Sequence, residues 1–140
     1  MKLYEKLDYL SHWIKYQSRY LEMKYHVKQT LKGMEECYIK PVYPQDRGSG
    51  KSTALARLSV KYDIPIVVPT QRRKKIIEQE VPRHIPQYFK RKKPIVIVAS
   101  ETCGRRGYKI VLIDEGLTNE QIKLAVEMSK GTIVGYKGYQ

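Results

Sequence analysis

From Leu3 to about Lys32 the apolar positions advance by steps of three and four residues. Leu3, Leu7, Leu10, Ile14 and Leu21 share one helical face, and Tyr9, Trp13, Tyr16 and Tyr20 form a second stripe about 100° round the helix. The spacing predicts one long helix that stops at Gly33. Its apolar surface is wide enough to pack on a domain with one side and to meet a partner with the other. Beyond Gly33 the period changes. Residues 37–43 read as a strand that Pro41 places near an edge. A glycine-rich loop and a helix over 54–60 follow. Residues 64–69, 94–99 and 109–114 are short apolar runs bounded by turn residues, as buried strands are. Residues 71–80 read as a basic helix, broken by Pro82 and Pro86. Thr118 with Gln121 makes a capping box for a helix reaching about Met128, and residues 132–136 read as a last strand.

Continuously apolar strands alternating with helices indicate an α/β fold: a mainly parallel sheet of five strands with helices on both faces. The order divides the chain into a helical N-terminal extension, 1–33, and a domain over 34–140. There is no internal repeat, long linker or low-complexity tract. No apolar run approaches the ~20 residues that span a bilayer, and the N-terminus lacks a signal-type segment. The expectation is a cytoplasmic protein with no membrane partner (host cytoplasm if the source is viral).

Charge adds a partner to this picture. Lys and Arg number 27 against 14 Asp and Glu, a net charge of +13. Such an excess draws polyanions, and salt weakens the attraction steeply. Nucleic acid is the expected partner. Cys37 and Cys103 are too few and too isolated for a disulfide framework or a metal site. His12, His26 and His84 have no metal or catalytic spacing and read as surface or packing residues.

The chemistry-bearing motif is Arg47-Gly48-Ser49-Gly50-Lys51-Ser52-Thr53, between a strand and a helix. Small residues let successive backbone N–H groups converge on one anion, and the following helix adds its positive end. Lys51 can reach β- and γ-phosphates, and the Ser52 hydroxyl can ligate Mg²⁺. The full P-loop pattern has a glycine where Gln45 stands here. Such a site needs an acid at the end of a buried strand, and Asp114-Glu115 follows Ile110-Val111-Leu112-Ile113. Asp114 would hold the metal shell. Glu115 would orient and activate the attacking water, so Lys51, Asp114 and Glu115 are the catalytic candidates.

These elements resemble the additional-strand class of P-loop NTPases. They are similar to the first ATPase domain of helicases and to the ATPase domain of bacteriophage large terminases. The resemblance covers roughly 38–136 and rests on the loop at 47–53, on Val68-Pro69-Thr70 before a basic helix, and on Ile113-Asp114-Glu115. It implies a sheet ordered as phosphate-loop strand, last strand, Asp-Glu strand, second strand, third strand. The phosphate-loop strand would be left at one edge for the N-terminal helix or another subunit to cover. It also implies Thr70, Gln71 and Arg72 as nucleic-acid contacts. Those motors carry a second motor or nuclease domain, for which 140 residues leave no room.

Further cations extend the expected nucleic-acid surface: Arg73, Lys74 and Lys75, then Lys90, Arg91, Lys92 and Lys93, the latter beside Tyr88 and Phe89. Rings next to cations can stack on exposed bases. Nothing here reads base edges, so sequence specificity is not expected. Arg105 and Arg106, flanked by Gly104 and Gly107, could act as an arginine finger in a neighbouring subunit. The leading expectation is a small nucleic-acid-associated ATPase of viral or mobile-element type. It would use ATP or another NTP with Mg²⁺, contact DNA ahead of RNA, and assemble as a homo-oligomer with its 3–32 helix open to a protein partner. Two alternatives stand beside it. One is a regulatory or inhibitory module that binds nucleotide without turnover, and the other is a nucleoside or nucleotide kinase.

Overall fold

Apolar side chains alternate between two buried faces along each central strand, and that alternation builds the fold. A computed structural model describes residues 2–43, 50–90, 92–102, 104–105 and 107–138, with the side chain of His84 excluded. The strands are β1 (Cys37–Val42), β2 (Ile66–Val68), β3 (Val96–Val98), β4 (Val111–Ile113) and β5 (Ile133–Gly138). They form one five-stranded sheet in the order β1-β5-β4-β2-β3, and every pairing is parallel. Ile66, Val68, Leu112, Val134 and Tyr136 face one layer. Val67, Ile97, Val111, Ile113 and Ile133 face the other. A parallel sheet is buried on both sides in this way because its crossovers lay helices on both faces.

The helices are α1 (Leu3–Leu31), α2 (Lys51–Tyr62), α3 (Gln71–Lys75), α4 (Val81–His84) and α5 (Asn119–Ser129). α5 covers the second face through Ala125 and Met128. Its capping box is present: the Thr118 hydroxyl accepts from the Gln121 N–H at 3.2 Å, and the Gln121 amide oxygen accepts from the Thr118 N–H at 2.9 Å. α1 and α2 share the first face. Tyr16, Tyr20, Met23, Val27 and Thr30 of α1 are buried, against Ala54, Leu55 and Leu58 of α2. Tyr16 and Tyr20 of the aromatic stripe therefore face inward with Trp13 partly buried beside them, Tyr9 is exposed, and the leucine stripe faces solvent, with Leu3 72% and Leu7 57% exposed.

Two ties fix α1 across the edge strand. The His26 ring stacks on Tyr38 with centroids 3.3 Å apart, and the Lys40 ammonium donates to Glu22 at 2.8 Å. Arg57 of α2 is clamped between Tyr20 and Tyr88, 3.8 and 3.9 Å from the ring centroids, and donates to the Tyr16 hydroxyl at 3.1 Å. Stacked between two rings, a guanidinium gains from both π faces while its charge stays partly wet.

One expected break is absent. Pro82 does not end the helix begun at Gln71; the chain continues through a π turn at Ile76–Glu80 into α4. The wider turn hands the Val81 N–H to the Ile76 carbonyl, a five-residue step. It moves the preceding carbonyls clear of the proline ring, which a regular α-turn would not. Pro86 does act as a stop, opening a 3₁₀ turn at Pro86–Tyr88. No helix among the described residues is long and apolar enough to cross a membrane.

Tyr136 is 1% exposed, and its hydroxyl has no hydrogen-bond partner among the described residues. Burial pushes its ionisation far above the ordinary tyrosine range. An unsatisfied buried polar group costs about 1–3 kcal/mol. Tyr136→Phe should therefore raise the melting temperature by a few degrees, read by calorimetry, and a fall would reveal a partner for the hydroxyl.

Candidate functional site

In a parallel sheet every strand ends at the same edge, and ligands gather there. β1 leads towards Gly50, β2 into Thr70 and β4 into Asp114, so three separate segments arrive together. Gly50 caps α2 with a left-handed φ of 78°. A Cβ there would lie 2.7 Å from the Tyr16 Cβ and 2.9 Å from its Cα, so α1 rests on the backbone of this residue. The first-turn amides of α2, at Lys51, Ser52 and Thr53, have no intrahelical acceptors, as at any helix start. Lys51 is 5% exposed. Arg47, Gly48, Ser49 and Gln45 lie outside the described residues.

Asp114 follows β4 directly and is 1% exposed. Its N–H donates to the Val67 carbonyl at 3.1 Å, which fixes the residue against β2. Arg73, on α3 after β2, reaches back to it. The Arg73 Nε donates to Asp114 Oδ2 at 2.9 Å, and Nη2 donates to Oδ1 at 3.1 Å. The same Nη2 donates to the Ser52 hydroxyl at 2.6 Å. Burial acts to lower the Arg73 ionisation; the Asp114 hydrogen bonds and charge, with Glu115 adding to them, outweigh it and hold the guanidinium above its ordinary value. Ser52 and Asp114 are thus brought together on one cation. Among the described residues no group of three or more His, Cys, Asp or Glu could hold a metal.

Glu115 is half-buried. It lines a cavity of about 630 Å³ with Thr118, Lys137 and Gly138, and its carbonyl accepts from the Gly138 N–H at 2.9 Å. A second cavity, of about 240 Å³, lies beside Gly50 and Thr53 and is walled by Tyr9, His12, Trp13, Tyr16 and Ile85. The long N-terminal helix therefore contributes aromatic surface to the start of α2, a placement the sequence reading did not anticipate.

The expected nucleic-acid residues divide into two sets. Thr70 caps α3 by accepting from the Arg73 N–H at 3.2 Å. Glu101 engages Gln71 at 2.9 Å and Lys74 at 4.0 Å, and its carbonyl accepts from Arg105 at 3.1 Å. Arg73 turns inward as described. Arg72, Lys75, Lys90, Lys92 and Lys93 are exposed. Arg91 and Arg106 lie outside the described residues, as does Cys103. Tyr88 and Phe89 are partly buried, Tyr88 beneath Arg57 and Phe89 against the core, so these rings serve packing. Arg73 belongs with Asp114 because β2 and β4 are neighbours in the sheet. The sequence order alone does not show that adjacency. No protein-family model matches the chain, and comparison with curated proteins and with solved structures gives no match.

Proposed function

We propose that the chain is a P-loop NTPase that hydrolyses ATP or another nucleoside triphosphate with magnesium, in association with nucleic acid. The observation that carries this reading is the convergence of the Ser52 hydroxyl and the buried Asp114 carboxylate on one cation, beside the amide-bearing start of α2. Three further features support it: the sheet order with one strand between β1 and β4, Gly50-Lys51-Ser52-Thr53 at a helix start, and Asp114-Glu115 at a strand end. A hydroxyl and a carboxylate are a small ligand set for a structural metal. They suit magnesium, which keeps waters and takes its remaining ligands from substrate phosphates. When bound, the metal would be held by Ser52 and Asp114 and would supply positive charge against the triphosphate.

The chain's own residues do the rest. The amides of 51–53 receive phosphate oxygens, and the Lys51 ammonium neutralises charge on the β–γ bridge. Glu115 orients the attacking water and accepts its proton. The aromatic cavity beside Thr53 offers ring faces for a base. The exposed cations at 72, 75, 90, 92 and 93 would hold phosphates of DNA, and a second copy of the chain is the expected source of any arginine finger.

Isothermal calorimetry with Mg-ATP and a phosphate-release assay test the proposal together. Wild type should bind and turn over. Lys51→Ala should lose turnover by about 10²-fold or more, the scale of removing one preorganised charge-stabilising group. Absence of heat and of phosphate release in the wild type, with DNA present, would sink the proposal.

A further inference from the structure

One guanidinium in this structure holds both groups that would ligate the metal. Arg73 engages both oxygens of Asp114 at 2.9 and 3.1 Å and the Ser52 hydroxyl at 2.6 Å. Planar forks of this kind match a carboxylate in geometry as well as charge. A divalent cation ligated by the same oxygens would sit where the guanidinium nitrogens now point. Two cations cannot share those lone pairs, and their mutual repulsion in a site this dry would be large.

We infer that Arg73 is a built-in counter-ion of the phosphate site: it stands in for the divalent metal between Ser52 and Asp114, and a metal–nucleotide complex loads only by displacing it. The inference rests on the nucleotide-binding reading for the identity of the incoming ligand. It rests on the hydrogen bonds alone for the occupancy of the position.

The side chain is placed to leave. The Arg73 side chain is 31% exposed, against 2% for that of Asp114, so the cation's side chain borders solvent while the carboxylate does not. Arg73 rises from the five-residue α3, whose neighbours Arg72 and Lys75 are already exposed. Asp114 is thereby paired whether or not a metal is bound, which a buried carboxylate requires. The cost falls on the metal, whose affinity is reduced by whatever free energy holds Arg73 in place.

Metal binding without nucleotide tests this directly. Wild type, Arg73→Gln and the double variant Arg73→Gln/Asp114→Asn are melted in EDTA and in MgCl₂, and Mn²⁺ affinity is measured by electron paramagnetic resonance. Arg73→Gln should melt below wild type in EDTA, recover on adding Mg²⁺, and bind Mn²⁺ roughly tenfold more tightly than wild type, or about 1.4 kcal/mol. The double variant should show no metal response. An Arg73→Gln protein that melts low and ignores both metals would overturn the inference, leaving Arg73 a structural ion pair. Should that variant fail to fold, Arg73→Lys keeps the charge and gives up the fork. Tighter Mn²⁺ binding by Arg73→Lys supports the inference, and an affinity equal to that of wild type overturns it. The two readings fail separately. Gain of Mn²⁺ binding with no Mg-ATP binding by any form removes the nucleotide and keeps the counter-ion. Mg-ATP binding with unchanged metal affinity does the reverse.

Discussion

Gly135→Ala should cost the domain about 3 kcal/mol or more, the upper end of what overpacking does to a core. Gly135 lies on β5 directly opposite Ile113 of β4. A Cβ at this position would stand 2.2 Å from the Ile113 carbonyl oxygen, 2.7 Å from its Cγ1 and 2.8 Å from its amide nitrogen. Two of those three atoms are backbone, so no rotamer change relieves the clash. β4 cannot step aside either, because its other edge is in register with β2 through Ile66 and Val67. A loss of this size is a large part of the 5–15 kcal/mol that holds a typical domain. Urea unfolding reads it as a lower midpoint at unchanged slope. Because Asp114 follows Ile113 in the chain, metal and nucleotide binding should weaken in step. A midpoint matching that of wild type would show that β4 and β5 are farther apart than described.

The second large effect is chemical. Glu115→Gln should slow hydrolysis by about 10²–10⁴-fold, the usual contribution of a positioned general base, while leaving Mg-ATP binding intact. Glutamine has the size and shape of glutamate and can still orient a water, but it cannot take a proton. Glu115 is half-buried in the lining of a cavity, so the exchange should leave the melting temperature unchanged. Single-turnover phosphate release separates the slowed step from binding. A rate equal to that of wild type would assign water activation elsewhere and leave Glu115 a loop carboxylate.

Much of this architecture was legible in the residues, for a physical reason. Continuous apolar runs at 64–69, 94–99 and 109–114 can only be covered on both sides, and each contains a strand buried on both faces, β2, β3 and β4, although β3 lies at the sheet edge. In the first two runs the paired segments are shorter because apolarity reports burial, whereas pairing needs N–H groups, and prolines at 65, 69 and 94 have none. The helix at 71–80 was legible; its continuation past Pro82 was not, because the π turn answers a clash that residue types do not announce. The phosphate-site candidates at 50–53 and 114–115 were visible as local motifs with the right neighbours. The role of Arg73 was not. Among five cations and polar residues in a row it reads as one more surface charge, and only the adjacency of β2 and β4 directs it to Asp114. The orientation of α1 was likewise open, since its two apolar stripes are equally periodic. Tyr16, Tyr20 and their continuation into Met23 and Val27 take the core, and the leucines are left outside.

α1 spans 29 residues, roughly 44 Å at 1.5 Å per residue. Only the part from Trp13 onward is embedded. That part touches Gly50 at Tyr16 and grips α2 through Arg57 and the tyrosines at 16 and 20. The helix is thus a lever whose fulcrum lies at Gly50, the residue that caps α2. Whatever seizes the greasy outer arm, from Leu3 to Leu10, exerts torque on the residue that opens α2. Tyr16 Cα is too close to Gly50 for that torque to be absorbed as slack.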